Sequence, residues 1–485
     1  MKTSVWLVIL LLAGNCIAAV TNPVSVLSFG AVCDGVNNDG PAIQAAINSV
    51  MSNSPSGGYI TFPVGVCQCN APLVMGAGVW LEGQGPDATI LRPGPGVSSL
   101  LIITGGLSGV LSMQLANQGS YGANAITVSK PYDNTSVTIR GNFFTNWSRA
   151  VYWTNGDVAV IEKNYFKKND YHIYCQQLIN GLISGNYFLR GNGVTLDVGP
   201  HLDNEGVIVD GNTILAATTR NGVPASGLLI YQAQEVQISH NIIDQIGYDG
   251  LSMNATRGSV LFVKSSHNWY GPYGTNGYYG IVGTGGVRQF ESDHDTFVGW
   301  PQAGIYSFGF TNGPNVEWRI ASPFFNYITP SYRDIQIDYS VDVVITAPVF
   351  SSTNATLVIN STNFPAGPTS GRVDGGKWPT VRGNPVVPNI APGSAFLIGR
   401  QSTGLVTVNS GTATIPGGST SVAVTHGLWA GPSLSDIVLT PANKPTNTPG
   451  LLWVSGINQT QFTVNCASDP GSSGLTFGWK ADISR

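Results

Sequence analysis

An asparagine returns through the middle of this chain at a nearly fixed interval. It follows two spaced apolar residues and usually a Gly or His, and an aromatic or aliphatic residue comes two further on. The pattern reads VTIRGNFF around Asn142, VIEKNYF at Asn164, LISGNYF at Asn186, VIVDGNTI at Asn212, VQISHNII at Asn241 and VKSSHNWY at Asn268. It continues with Asp295, Pro323 and Pro348, and the steps are 22, 22, 26, 29, 27, 27, 28 and 25 residues. A fixed period of this length means a solenoid or a propeller. Propeller blades need about 40 residues, and the Leu frame of leucine-rich repeats is absent. One turn of a parallel β-helix per repeat is what remains.

A second strand follows each first one: AVYW at Ala150, HIYC at His172, GVTL at Gly193, GLLI at Gly227, GLSM at Gly250, GIVG at Gly280, GIYS at Gly304 and DIQI at Asp334. Strand side chains alternate faces. Val151, Ile173, Val194, Leu228, Leu251, Ile281, Ile305 and Ile335 are therefore expected to stack in one inward column. Trp153, Cys175, Leu196, Ile230 and Met253 should form the next. The asparagines belong at a bend, where Asn can take the left-handed conformation and bond the neighbouring coil. Composition agrees with an all-β reading, since charged residues are only 10% and Gly reaches 61 of 485. A net charge of −4 argues against a nucleic-acid binder that works through a basic field.

The ends differ from the middle. Lys2, an apolar run from Val5 to Ala13 and small residues to Ala19 read as a secretory signal peptide, residues 1–19, too short to span a membrane. The mature chain is thus expected to be secreted, with no membrane insertion. Export permits a disulfide between Cys33 and either Cys67 or Cys69. No His/Cys spacing of the zinc kind occurs, so no metal and no cofactor are expected. Asp39-Gly40-Pro41 before Ala42, Ile43, Ala46, Ile47 and Val50 predicts an amphipathic helix that covers the first coil. Residues 20–75 are then the N-terminal cap and start of the β-helix, and 76–370 its body. The Pro/Gly-rich stretch 371–395 reads as a linker, and 396–485 as a C-terminal β-sandwich of short alternating strands.

The segment SFGAVCDGVNNDGPAIQAAINS (Ser28 to Ser49) with GGYITFPVG (Gly57 to Gly65) resembles the start of the pectate-lyase-like superfamily. With the repeats, the resemblance covers about residues 24–365. The tail from Gly411 to Leu428 and from Thr476 to Ala481 resembles C-terminal modules of phage tail fibres and depolymerases. The resemblance implies a single-stranded right-handed parallel β-helix that acts on polysaccharide, in relatives that are often trimeric, so a homotrimer is an expectation here. The signal peptide departs from a tailspike and favours a secreted enzyme or surface protein.

Glycoside hydrolysis needs a proton donor and a second carboxylate, and elimination needs a base and a cation. The outward positions of the second strand carry Tyr152, Tyr174, Tyr231 and Tyr306, with His172, Gln176 and Asp197 on the same face. By register Asp197 lies between Gln176 and Tyr231. Beside them Gly193, Gly227, Gly250, Gly280 and Gly304 form a stripe expected to floor a shallow groove. Asp197, with His172 and Tyr174, is one catalytic candidate set, and Tyr152, Gln176, Tyr231 and Tyr306 are the substrate-binding candidates. Glu162 and Asp210 are a second set on the first strand, ~9.6 Å apart across two coils. That is near the upper edge of the ~6.5–9.5 Å separation of inverting enzymes. Glu291 and Asp293 share a face, but Asp295 falls in the bend column, so no stack of three carboxylates suggests a calcium-assisted lyase. The expected function is cleavage of an extracellular polysaccharide, hydrolysis slightly ahead of elimination. The alternative is a non-catalytic glycan-binding adhesin or structural surface protein.

Overall fold

The computed structural model describes residues 23–483 except 55, 119–121, 200–202, 216–219, 275–276, 310–312, 327–332, 351–354, 361–368, 379, 382–383, 386–388, 391–394 and 399–405. The signal peptide expected over 1–19 lies outside the described residues. Three parallel sheets of 16, 12 and 13 strands stack along the chain from Val24 to Ile398, and a typical coil gives one strand to each. The expected inward column is in register throughout: Val151 on Ile173, Val194, Leu228, Leu251, Ile281, Ile305 and Ile335. Trp153, Cys175, Leu196, Ile230 and Met253 form the second. All of these are buried. At roughly 1.5–3 kcal/mol per fully buried large apolar side chain, these columns are the main stabilising feature of the coil stack.

The asparagine ladder works differently from the expectation in one respect. The left-handed residue is the one before each asparagine: Gly141, Lys163, Gly185, Gly211, His240, His267 and His294 all have φ between 54° and 68°. Glycine adopts that conformation without a steric cost, which accounts for the recurrent Gly-Asn. The asparagine itself turns inward. Each backbone N–H from Asn142 to Asn268 donates to the side-chain oxygen of the next rung, at 2.9–3.0 Å, and the last acceptor is Asp295.

The helix Gly40–Asn53 buries Ile43, Ala46, Ile47 and Val50 against the first coils. Its N-cap residue Asp39 does not cap the helix. Its carboxylate instead accepts from the N–H groups of Val32, Cys33 and Gln68. Cys33 is joined to Cys67, and Cys69 stays a buried thiol.

The stretch 371–395 is not a simple linker. Ser370–Asp374 pairs in parallel with Val343–Thr346, and Ala395–Ile398 pairs with Ser370–Asp374 in turn. Pro and Gly mark the turns between short strands there as readily as a domain boundary. Beyond it, two three-stranded antiparallel sheets pack around Ile415, Val424, Phe462, Val464, Leu475 and Phe477, as the alternating pattern of the C-terminal module requires. Among the described residues no helix is long and apolar enough to cross a membrane.

Candidate functional site

The outer face of the third sheet collects most of the expected binding residues. Tyr152 and Tyr174 are register partners on adjacent coils. At the strand ends the N–H groups of Gln176, Asp197 and Tyr231 donate to Trp153, Cys175 and Leu196 one coil away. Asp197 therefore sits between Gln176 and Tyr231, as the repeat register predicts. Tyr152 donates its phenol to Gln176 Oε1 at 2.8 Å. Tyr174 donates its phenol to Asp197 Oδ2.

Asp197 is only 5% exposed, and its other oxygen is held by Arg257 and by the Val198 N–H, both at 2.8 Å. Tyr174, Arg257 and Val198 together give this carboxylate three donors. Arg257 in turn lies 4.3 Å over the Tyr231 ring. Arg149 lies 4.6 Å from the Tyr152 ring centre and 4.7 Å from that of Tyr174. Tyr171 meets Tyr174 edge-on at 5.0 Å. Burial, reinforced by the hydrogen bond to Asp197, pushes the Tyr174 phenol well above the ordinary tyrosine range.

His172 has no place in this cluster. It is completely buried, between Phe166 and Phe188 at 5.7 and 5.5 Å, with Nδ1 3.0 Å from Asn169 Nδ2. Burial drives its pKa down to about 3, and Nε2 has no hydrogen-bond partner. Strict alternation fails at the strand start. The ladder pairs Tyr171 with Arg149 and Ile173 with Val151, and the residue between turns inward.

The same position on later coils is the glycine stripe, which is a packing device and not a groove. A Cβ on Gly193, Gly227, Gly250 or Gly280 would lie 2.2–2.5 Å from the carbonyl oxygen of the next glycine. It would also press on Ile214, Ile243, Tyr270 or Phe297 of the second sheet.

Tyr306 is on the correct face but five coils below Tyr174, ~24 Å away along the axis. It donates to Asp338 at 2.9 Å and packs on Tyr279. Glu162 and Asp210 fall in register through Ser184 on the first sheet. Glu162 faces Arg140 at 3.5 Å, while Asp210 is bonded to Ser239 and His240 at 2.7 and 3.0 Å. The structure does not bring this pair together with Asp197.

Four residues of the tyrosine face escaped the sequence reading: Arg149, Arg257, Tyr171 and Asp249. Asp249 lies just before the strand Leu251–Asn254, at the position occupied by Ser226 one coil earlier. It is buried, with Oδ1 unpartnered, and desolvation raises its pKa to about 7. Tyr248 and Tyr278, 4.8 Å apart, lie next to it in sequence or on the next coil.

Two depressions lie on other faces. One of about 460 Å³ follows the stacked rings of Tyr165 and Tyr187, and one of about 300 Å³ lies beside Lys264 and Glu291. In the first, the rings cover each other's faces at 5.2 Å and leave mainly edges for a ligand.

A family described as the right-handed β-helix region matches residues 128–318. No curated protein matches the chain. Among solved structures, the tailspike protein of Pseudomonas phage LKA1 is similar at 14% identity and a TM-score of 0.59, over 95% of this chain and 100% of that one. The catalytic unit of an α-1,3-glucanase from Streptomyces thermodiastaticus is similar at 14% identity and 0.56, over 79% and 68%. A surface adhesin of Streptococcus pneumoniae is similar at 12% identity and 0.51, over 78% and 91%. At these identities the likeness is one of fold.

Proposed function

We propose that this chain, which carries the right-handed parallel β-helix of the pectate-lyase-like superfamily, is an extracellular protein that recognises a polysaccharide on the tyrosine face of its third sheet. The observation that carries the reading is the Tyr174–Asp197–Arg257–Tyr231 cluster. Sugars are bound by aromatic bodies together with a few fixed polar groups, and that cluster supplies both. The fold likeness to a tailspike, a glucanase and an adhesin supports a carbohydrate-interacting role without choosing among them. The Cys33–Cys67 disulfide fits an exported chain.

Cleavage is the second reading, favoured by Asp249. A carboxyl pushed up to about 7 can donate a proton at neutral pH, and Asp197 is held as a hydrogen-bond acceptor. Their separation weighs against the pair. Asp249 lies two coils from Asn192, the residue that opens the strand leading to Asp197. That amounts to ~9.6 Å along the axis and ~16 Å along the strand between the two backbones. Two carboxyls that flank one glycosidic bond sit within ~9.5 Å. Recognition is therefore the reading that the geometry supports best.

The test is incubation with a panel of polysaccharides, following binding, new reducing ends and the ultraviolet absorbance of unsaturated products together. Binding without new ends supports recognition, and new ends abolished by Asp249→Asn would move the assignment to cleavage. No binding to any polymer would overturn the proposal.

A further inference from the structure

One lysine of the coil stack lies in the core. Along the strand Asn124–Ser129, Ile126 and Val128 are buried, and Lys130 takes the next position of the same alternation. Its backbone N–H continues the ladder to Asn155 O at 3.1 Å, and none of its side chain is exposed. The ammonium donates to Asp157 Oδ1, to Asp133 Oδ1 at 2.7 Å and to the Pro131 carbonyl at 2.9 Å. Asp157 stands on the next coil with a side chain 5% exposed, whereas that of Asp133 is 42% exposed. Gly156 makes room for the lysine stem, since a Cβ there would lie 2.7 Å from Lys130 Cγ.

Taking two charges out of water costs about as much as their attraction returns, and an apolar pair of similar volume often serves a core as well or better. A stabilising ion pair alone is therefore a weak reason for a lysine at this position. The same groups meet the requirements of an amide bond between the two side chains. The nucleophile touches the carboxyl it would attack. Asp157 Oδ2 accepts from the Asn134 N–H at 2.6 Å, a donor placed for the oxygen that turns anionic when Cγ is attacked. A second carboxylate, Asp133, rests on the nucleophile and is fixed there by the Thr135 N–H at 3.1 Å.

We infer that Lys130 and Asp157 are joined by an intramolecular amide bond, with Asp133 as the proton carrier. Nζ passes one proton to Asp157 Oδ1, which neutralises both groups as burial favours. The amine then attacks Cγ, and Asp133 takes a second proton from Nζ and delivers it to Oδ1. The Cγ–Oδ1 bond breaks, one water leaves, and Asp133 ends as it began. Oδ2 becomes the amide oxygen and keeps the Asn134 N–H. The one hydrogen left on Nζ has the Pro131 carbonyl and Asp133 beside it. No oxidant or other co-reactant enters. Two buried charges give way to one neutral group, and residues 27 apart in sequence are tied together, a constraint on the unfolded chain of the kind a disulfide imposes.

The experiment is mass spectrometry of the full mature protein, denatured, reduced and digested with chymotrypsin. Cleavage after aromatic residues releases Lys130 within Gly122–Tyr132 and Asp157 within Thr154–Tyr165. These two peptides are expected as one branched species, lighter than their sum by one water, with fragmentation placing the link at Lys130 and Asp157. Two linear peptides with no branched form would overturn the inference.

Lys130→Arg keeps the charge but cannot form the amide, and Asp157→Ala removes the carbon that is attacked. Both variants should give linear peptides only. A branched species that persists in either would overturn the assignment, because the link would lie elsewhere. Asp133→Asn keeps the pair and removes the proton carrier, so the branched form should accumulate at least about tenfold more slowly after synthesis. An unchanged rate in Asp133→Asn would overturn the role given to Asp133. If a variant fails to fold, the digest of the unmodified protein still decides.

Discussion

Tyr174 and Asp197 stand on adjacent coils, two residues out of register, and the phenol of the first donates to the carboxylate of the second. Because Asp197 is almost fully buried, this bond and the Arg257 ion pair at 2.8 Å stand in for the water it has lost. Tyr174→Phe keeps the ring and removes one donor from a buried charge. It should lower unfolding stability by ~1–3 kcal/mol in denaturant titration. No measurable loss would mean that water replaces the phenol.

His172 is a core residue, so its removal should act on stability and not on the ligand. His172→Ala should cost ~2–4 kcal/mol, as large-to-small core changes do, with glycan affinity unchanged in the folded protein. The native imidazole stays neutral down to about pH 3, whereas the unfolded one protonates near 6.5. The unfolded state therefore binds the extra proton between those values, and stability falls as pH drops from 6.5 towards 3. His172→Phe should abolish this contribution to the pH dependence.

Asp249 has the opposite sign. Its folded pKa of about 7 lies above the unfolded 3.8, so the native state holds the proton more tightly. Its contribution is present at pH 4 and is lost as pH rises to 7, with a slope of up to ~1.4 kcal/mol for each pH step of one across that window. Asp249→Asn should therefore gain on the parent protein as pH rises from 4 to 7. Melting curves of the two proteins across that range test this, and parallel curves would contradict it.

The asparagine ladder should show its worth at a middle rung. Asn212 accepts from Asn186 N–H at 2.9 Å and donates to Ile183 O and Asn241 Oδ1 at 2.9 and 3.0 Å. Asn212→Ala leaves the buried Asn186 N–H of the preceding coil unpaired and takes a donor from the Ile183 carbonyl beside it, and should cost on the order of 3 kcal/mol. A loss within ~0.5 kcal/mol, typical of an exposed surface site, would contradict the ladder's structural role.

The coil stack was legible because its signals are periodic. Val151 to Ile335 repeat once per coil and alternate along each strand, so both the column and its inward direction could be read. The same alternation misplaced His172 and the Gly193–Gly304 stripe, because it breaks where each strand leaves its corner. Asp197, Gln176 and Tyr231 could be aligned because they lie at one position on successive coils. Arg257 could not, since it reaches Asp197 from a turn outside the repeat. Asp249 gave no sequence signal of its raised pKa, which comes from burial by neighbours distant along the chain.

The most direct measurement is polysaccharide affinity of the parent protein against Tyr231→Ala, Glu162→Gln and Asp210→Asn, each checked for unchanged melting. Tyr231 is partly exposed beneath Arg257, whereas Glu162 and Asp210 lie on a different sheet. The account predicts at least one polymer that binds the parent protein, about tenfold weaker binding in Tyr231→Ala, and no change in the other two. Full affinity in Tyr231→Ala with loss in Glu162→Gln or Asp210→Asn would contradict it and move the site to the first sheet.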